Sequence, residues 1–391
     1  MFDRDFHAII MKIVVTPDSF KGSVTAQRAA QCIAQGLRMS LPTAEIVECP
    51  LADGGEGTAR IIAESECGDL TCHDVSGPFG EPTRGVIAWI DNRSTAVVEC
   101  ASASGLTLVQ ADQRNPLNTT SFGTGELIQH AIGLHARKIV VALGGSATND
   151  CGLGVLQALG CEFFDGDGIL INNGGCGRDL ENIASINSSR MPTNLPEIFV
   201  ATDVTNPLCG PRGATHIFGP QKGTDLEIER QLEAGIVKFN RLLSSQFGYD
   251  ASEIPGSGAA GGIAAALISA CNATVMSGIQ FVMDATGLKD KIAGADAVVF
   301  GEGSLDRQSV DGKALSGLMK LTQPFGIPCY AIAGRIRDSD RDILAQFGVR
   351  IACTLTSYTV DEAESMARAE ELLCDAGFNV GRAILRSSGL P

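Results

Sequence analysis

The sequence predicts an α/β protein of two domains, and three observations lead to this fold class. Both ends of the chain carry short apolar runs, each followed by a glycine-containing loop and a segment of helical spacing, which is typical of a parallel sheet. The middle of the chain instead contains a tight hairpin. A length of 391 residues also exceeds what one hydrophobic core usually serves.

We therefore expect a doubly wound, Rossmann-like parallel-sheet domain built from both chain ends, with a second, mixed α/β domain inserted into it. The discontinuous domain is predicted over residues 11–77 and 289–391, and the inserted domain over residues 78–288. Because ligand pockets favour domain interfaces, the active site is predicted in the cleft between the two domains.

The N-terminal units supply the first strands of the parallel sheet. The apolar run Lys12 to Pro17 predicts a buried strand that ends in the loop 18–23, where Ser23 is the predicted N-cap of a helix. A second strand, Glu45 to Cys49, runs into the loop 51–58 and another helix. Open α/β sheets bind ligands at the carboxyl ends of their strands. The charged residues at these two ends are Asp18, Lys21, Asp53 and Glu56.

The middle of the chain changes pattern. Val86 to Ile90 and Ala96 to Cys100 predict a hairpin, because residues 91–94 are too few for a helical crossover. The further elements predicted in this part are a helix over Gly123–Leu134, a strand over Glu197–Thr202, an amphipathic helix over Leu226–Phe247 and an Ala- and Gly-rich segment over Gly258–Cys271.

A strand, a glycine-rich loop and a helix follow one another between Arg137 and Gly160. Such a unit brings backbone N–H groups and a helix N-terminus up to an anion. Ser146 and Thr148 add hydroxyl donors, and Asp150 either faces a metal ion or caps the helix. The alternative is a tight turn with an N-cap. The loop fits neither GxxxxGK[ST] nor GxGxxG, so no standard nucleotide fingerprint identifies its ligand.

The βα rhythm returns near the C-terminus. The strand Ala297 to Phe300 is predicted to lead into a loop over residues 301–308, whose Gly301, Gly303 and Ser304 would offer N–H groups to an anion. Further strands are predicted over Cys329–Ala333 and Ile351–Leu355, followed by a helix from about Val360.

Composition excludes several classes of partner. A net charge of −15 without any basic block argues against nucleic acid and membrane surfaces. The 13 cysteines are odd in number and lack a CxxC pair, so neither a zinc site nor a disulfide framework is expected. With no apolar run long enough to span a bilayer, we expect a cytoplasmic protein that is a monomer or a homodimer.

Seven motifs together resemble the glycerate kinase type-1 family of bacteria, over essentially Met11 to the C-terminus. They are DSFKGS (18–23), ADGGEGT (52–58), LGGSATNDCGLG (143–154), TDVTNPLCG (202–210), FGPQKG (218–223), GAAGGI (258–263) and GEGSLDRQSVDGK (301–313). The resemblance implies phosphorylation of D-glycerate by ATP with Mg²⁺, giving 2-phosphoglycerate in many members. It also implies a two-domain α/β fold unlike those of protein kinases and P-loop enzymes.

Phosphoryl transfer requires held phosphates, a metal bridge and a group that orients or deprotonates the attacking hydroxyl. Asp203 and Asp306 are the predicted catalytic and metal-binding carboxylates, and Lys21 is the predicted catalytic cation. An Asp in such a loop often only caps a helix, and a lone Lys is usually a solvated charge. The predicted substrate- and phosphate-binding residues are Asp18, Ser19, Lys21, Asp53, Gly54, Gly55, Gly144, Gly145, Ser146, Thr148, Asn149, Arg212, Lys222, Gly301, Gly303, Ser304 and Lys313.

Two other functions compete with the kinase. A dinucleotide-dependent oxidoreductase would suit the terminal βα units, but GxGxxG with a downstream acidic residue is missing. A non-enzymatic sensor of small hydroxy acids would explain the anion-binding loops but not the surplus of carboxylates at strand ends.

Overall fold

The computed structural model describes residues 11–65, 68–305, 309, 314–359 and 361–388. Among these residues, no helix is both long and apolar enough to cross a membrane. The α/β class is confirmed, with helices following the strands of two main sheets.

The chain divides into two compact units. Unit one comprises the described residues up to Ala52 and from Val282 onward, and unit two comprises Asp53–Phe281. The division after Ala52 differs from the sequence-based boundary at residue 77. The physical reason is strand pairing, since β3 (Asp69–Ser76) is antiparallel to β4 (Pro82–Ile90) and so belongs to the sheet of unit two.

The sheet of unit one is parallel and doubly wound, as predicted. Its strand order is β2-β1-β11-β12-β13, so the chain builds outward from β1 on one side and from β11 on the other. The reversal of direction lies between β1 and β11, which makes this the topological switch point of the sheet. The strands are β1 (Lys12–Pro17), β2 (Glu45–Glu48), β11 (Ala297–Leu305), β12 (Cys329–Ile336) and β13 (Val349–Thr354).

Helices α1 and α14 cover one face of this sheet and pack closely on each other. A Cβ atom on Gly36 of α1 would lie 1.9 Å from the carbonyl oxygen of Cys374, so only glycine permits this approach. Thr25 caps α1 by accepting a hydrogen bond from the Arg28 amide, which corrects the prediction of Ser23 as N-cap. The helices of unit one are α1 (Ala26–Ser40), α10 (Leu288–Ile292), α11 (Ala314–Thr322), α12 (Asp338–Gln346), α13 (Glu362–Ala367) and α14 (Ala369–Ser388).

Strand β11 corrects the prediction of a loop from Gly301. The strand continues to Leu305 because β12 pairs with it along this stretch, Gly301 opposite Ile332 and Ser304 opposite Arg335. Gly301, Gly303 and Ser304 are therefore strand residues and do not form the predicted anion-binding loop.

The sheet of unit two is mixed. Its order is β10-β9-β6-β5-β4-β3, with parallel pairing from β10 to β5 and antiparallel pairing of β4 with both neighbours. The predicted hairpin is the β4–β5 pair. The remaining strands are β5 (Thr95–Glu99), β6 (Lys138–Ala142), β9 (Glu197–Ala201) and β10 (Thr274–Met276), with β7 (Glu162–Asp165) and β8 (Ile183–Asn187) forming a separate ribbon.

The core of unit two lies between this sheet and its helices. Helix α7 buries one stripe, with Leu232, Ile236, Phe239 and Leu243 fully covered, as its amphipathic pattern predicts. The helices are α2 (Thr58–Ser65), α3 (Cys100–Ser104), α4 (Phe122–Gly133), α5 (Leu153–Ala158), α6 (Ala214–Phe218), α7 (Leu226–Phe247) and α8 (Ile263–Cys271), while α9 (Gly278–Ala285) crosses the division between the units.

Candidate active site

A cavity of about 320 Å³ opens in unit one at the carboxyl ends of β1 and β11. This is the switch point of the sheet, where doubly wound folds bind their ligands. Predicted residues from both strands contribute to its lining, so we call it the switch-point cavity. They are Asp18, Ser19, Lys21, Gly303 and Ser304.

The backbone holds Asp18 in place at the end of β1. Its amide donates a hydrogen bond of 2.8 Å to the carbonyl of Gly301, and its Oδ1 accepts one of 2.6 Å from the Ser19 amide. Asp18 is 4% exposed. A carboxylate in this position presents its charge to the cavity with little freedom to move.

Two cations line the same cavity from opposite ends of the sequence. Lys21 is exposed in the loop after β1, and Arg335 lies near the end of β12. The Arg335 guanidinium forms an ion pair of 3.1 Å with Glu362 at the start of α13, and Glu362 also lines the cavity. Sequence reasoning missed Arg335 and Glu362, because the predicted strand ended at Ala333 and no motif marked the residues beyond it.

A second group of predicted residues meets in unit two, and we call it the glycine loop cluster: Asp53–Gly55, Gly144–Gly145, Asp203 and Ser277–Gly278. The Gly144 amide donates a hydrogen bond of 2.9 Å to the Gly54 carbonyl. A Cβ on Gly144 would lie 2.5 Å from the Gly55 Cα. Two glycine-rich loops that are about ninety residues apart in the sequence are thus in direct backbone contact.

Asp203 is a carboxylate of this cluster that two hydrogen bonds hold in place. Its Oδ1 accepts a 2.7 Å hydrogen bond from the Ser277 hydroxyl, and its Oδ2 accepts one of 2.9 Å from the Ile279 amide. Burial raises the pKa of the Asp203 carboxyl, the two hydrogen bonds oppose this rise, and the charge of Asp53 adds to it. An added Cβ on Gly278 would lie close to both Asp203 Oδ2 and the Asp53 carbonyl, at 3.2 and 3.4 Å.

Lys222 is buried, which the sequence did not indicate. Its Nζ donates hydrogen bonds of 2.9 Å to the Ser146 hydroxyl and 2.7 Å to the Thr148 carbonyl. Both acceptors belong to the loop after β6. Burial lowers the pKa of the Lys222 ammonium to about 8, and the nearby Asp150 carboxyl opposes this decrease.

Asp150 caps the helix, which decides between the two roles left open for it. The carboxylate is fully buried and accepts hydrogen bonds from the amide and hydroxyl of Ser121. It also accepts from the amides of Gly152 and Gly154 at the start of α5. Because four donors of the protein bind this carboxylate, Asp150 has a structural role.

Some predicted residues belong to neither group. The Asn149 side chain donates to the Thr215 hydroxyl at 3.1 Å in the interior of unit two. Arg212 is exposed, and its carbonyl accepts a hydrogen bond from Asn206. Asp306 and Lys313 lie outside the described residues.

Glu99 is a buried carboxylate that sequence reasoning missed. It ends β5, and its Oε2 accepts a 3.0 Å hydrogen bond from the Ala59 amide in the first turn of α2. Burial raises the pKa of Glu99 to about 7, while the hydrogen bonds from Ala59 and Gly57 lower it. Glu99 lies within the strand predicted over Ala96–Cys100, whereas Asp203 follows a predicted strand, so the pattern that marked Asp203 did not mark Glu99.

The glycine loop cluster contains carboxylates, which are the type of ligand that Mg²⁺ prefers. No group of three or more His, Cys, Asp or Glu is arranged to hold a metal within the part of the chain that the structure describes. Mg²⁺, however, is usually bound through one or two carboxylates, with water and substrate phosphates completing the coordination. Asp53 and Asp203 match that smaller donor set.

Comparison with solved structures defines the class of protein. The crystal structure of a candidate glycerate kinase 2 from Salmonella typhimurium LT2 matches with a TM-score of 0.79 and 37% identity. The match covers 97% of this chain and 100% of the other. The fold of this chain is therefore similar to that of this candidate glycerate kinase.

Sequence comparisons identify the family. The model of the glycerate kinase family matches residues 13–385. Glycerate kinase from Haemophilus influenzae is 38% identical, over 96% of this chain and 99% of the relative. Glycerate 2-kinase from Escherichia coli K12 is 39% identical, over 97% and 100%. The chain belongs to the glycerate kinase family and is an enzyme of the kinase class.

Proposed function

We propose that this protein catalyses the phosphorylation of D-glycerate by ATP, with Mg²⁺ as cofactor and 2-phosphoglycerate as product. The observation that carries the proposal is the switch-point cavity. Lys21, Arg335 and Asp18 line it at the place where doubly wound sheets bind ligands. Family membership supports the kinase over the oxidoreductase and the sensor.

The size of the switch-point cavity suits a three-carbon hydroxy acid. A volume of about 320 Å³ lies at the lower end of the range for ligand pockets, about 300–1,000 Å³. Lys21 supplies positive charge for the substrate carboxylate. The Arg335 guanidinium, which is paired with Glu362 in this structure, would exchange that partner for the substrate carboxylate, which it could bind with two parallel hydrogen bonds. Asp18 and Ser19 supply hydrogen-bond acceptors for the hydroxyl groups.

The glycine loop cluster is the proposed place for phosphate and metal. Asp53 and Asp203 would hold the Mg²⁺, and the ion would bind the phosphates. When bound, Mg²⁺ offsets the charge of the phosphates, which a chain of net charge −15 would otherwise repel. Asp203 and Asp306 are the proposed pair for metal positioning and for taking the proton of the attacking hydroxyl.

The same proposal includes the cellular setting. We place the reaction in the cytoplasm, because the cysteines that the structure describes carry free thiols and most of them are buried. The protein would act as a monomer or a homodimer.

An ADP-release assay tests the proposal. The purified protein should form ADP from ATP when D-glycerate and Mg²⁺ are present, and should form very little with glycerol, which lacks the carboxylate. Excess EDTA should abolish the signal. ADP release that does not depend on D-glycerate, or full turnover in EDTA, would contradict the proposal, and NAD⁺ reduction in its place would support the oxidoreductase.

A further inference from the structure

Lys222 stands out because it is the cation of the FGPQKG motif and yet is only 4% exposed. The next residue, Gly223, restricts the backbone at Lys222. Gly223 has a φ of +96°, and a Cβ there would lie 2.1 Å from the Arg114 carbonyl oxygen. A side chain at 223 is therefore excluded, and Lys222 projects from a rigid turn.

Two of the three ammonium donors of Lys222 are used by one loop. They bind the Ser146 hydroxyl and the Thr148 carbonyl, at 2.9 and 2.7 Å. These acceptors lie one and three residues after Gly145, which with Gly144 belongs to the glycine loop cluster. The turn at 220–223 and the loop at 144–148 are thus joined through one side chain.

We propose that Lys222 is a positioning residue that holds the loop 144–148 in the geometry needed for substrate binding, and that it does not itself contact the substrate. This inference rests on the proposed kinase function. It replaces the direct phosphate contact expected of Lys222 from the sequence.

The surroundings explain why a charged group is kept in the interior. Burying an ammonium is costly unless the charge is hydrogen-bonded and compensated. The titratable groups that act on Lys222 are Cys100 at the start of α3 and Asp150 in the loop before α5. The Asp150 carboxylate is fully buried and can compensate the charge of the ammonium.

Charge-assisted hydrogen bonds are stronger than neutral ones, so loss of the proton should loosen the loop. Since burial lowers the pKa of Lys222 to about 8, this loss falls between pH 7 and pH 9. A role in packing alone would not produce a change of kinetics in that range.

The test uses Lys222→Met, with Lys320→Met as the matched control, because Lys320 is an exposed lysine on α11. Hydrogen bonds to charged groups are strong enough that Lys222→Met should lower kcat/KM at pH 7 by about tenfold or more. The control should stay within about twofold of wild type, as surface substitutions usually do. Wild-type kcat/KM should fall from pH 7 to pH 9, and this decrease should be missing in Lys222→Met.

Hydrogen exchange provides a readout that does not depend on activity. Backbone amides in residues 144–149 should exchange faster in Lys222→Met than in wild type or in Lys320→Met. If wild type proves inactive on glycerate, the proposed function fails, but the hydrogen-exchange measurement still tests the positioning role of Lys222. If Lys222→Met does not fold, Ser146→Ala removes one of the two contacts and should raise exchange in the same segment.

Two results would overturn the inference. One is a folded Lys222→Met variant with wild-type kcat/KM and an unchanged pH profile. The other is unchanged exchange in residues 144–149 when either contact is removed.

Discussion

The amide of Asp18 donates a 2.8 Å hydrogen bond to the carbonyl of Gly301, across the ends of β1 and β11. This bond lies one residue beyond Pro17, the last residue of β1, which is paired with Gly301. It joins the parts of the sheet that lie on either side of the inserted unit in the sequence. The carboxylate of Asp18 therefore faces the switch-point cavity from a site that depends on both chain ends.

Lys21 should act mainly on substrate affinity. The side chain lines the switch-point cavity and is exposed, so an anionic substrate in the cavity would lie near its charge. Loss of uniform binding raises KM and leaves kcat little changed. We expect Lys21→Met to raise the KM for D-glycerate by about tenfold or more, since a hydrogen bond to a charged group is lost.

Steady-state kinetics with Lys320→Met as control checks this prediction. Both variants remove one lysine charge, but Lys320 is not among the residues lining the cavity. An equal rise of KM in the two variants would show that only net charge matters.

Asp203 should act on the chemical step. Asp203→Asn keeps the shape of the side chain but removes the charge that would hold a metal or accept a proton. General-base catalysis is typically worth about 10²- to 10⁴-fold, so we expect kcat and kcat/KM to fall together by at least about a hundredfold.

The pH profile of the wild type gives a second test of Asp203. Burial raises the pKa of this carboxyl. Activity should therefore decline as the pH falls, and the decline should occur at a higher pH than an ordinary aspartate would cause. Ser277→Ala removes one hydrogen bond that favours the charged form and should move this decline to higher pH. Near-normal kcat in folded Asp203→Asn would place the catalytic carboxylate elsewhere.

Gly144 should not tolerate a side chain. A Cβ would lie 2.5 and 2.7 Å from the Cα and N atoms of Gly55, and backbone atoms cannot move aside easily. Gly144→Ala should lower the free energy of unfolding by about 1–3 kcal/mol, as overpacking does, and should also reduce activity.

Gly133→Ala is the matched control. Gly133 ends α4, and a Cβ there would meet nothing within 4 Å. Its free energy of unfolding in urea should equal that of wild type or exceed it by up to about 1 kcal/mol, because alanine is favoured over glycine in a helix. Equal stability of the two variants would contradict the contact between the glycine loops.

Glu99 should make stability depend on pH. Its folded-state pKa of about 7 lies above the ordinary value of 4.5, so the folded chain keeps a proton that the unfolded chain loses. The contribution of Glu99 is fully present below about pH 4.5 and is lost as the pH rises through 7. At about 1.4 kcal/mol per pH unit, the change is on the order of 3 kcal/mol.

Glu99→Gln removes this titration. Relative to wild type, the variant should therefore be more stable at pH 8 than at pH 5, which thermal or urea unfolding at the two pH values would show. A difference between the two proteins that does not change with pH would contradict the raised pKa of Glu99.

Regular elements with strong local signals were predictable. Helix α7 spans Leu226–Phe247 as predicted, because its apolar stripe is continuous and its ends are marked. Asp225 caps the first turn with its carboxylate, and Gly248 ends the helix in the left-handed region. Such signals lie within the segment and need no knowledge of the rest of the fold.

Features that depend on distant partners were not predictable. The glycines of residues 301–304 suggested a loop, but pairing with β12 makes them a strand. Lys222 looked like other lysines after glycine-containing loops, and only packing showed that its charge is internal. Arg335 carries no motif of its own and reaches the cavity through the extension of β12.

Proton-coupled phosphorus NMR of the product tests the central claim most directly. The protein is incubated with ATP, Mg²⁺ and D-glycerate, and the phosphate ester is observed without a coupling enzyme. Phosphorylation of the 2-hydroxyl places phosphorus next to one methine proton, so our account predicts a doublet. A triplet, which reports the methylene group at the 3-position, would contradict the proposed product, and no new ester signal would contradict glycerate phosphorylation itself.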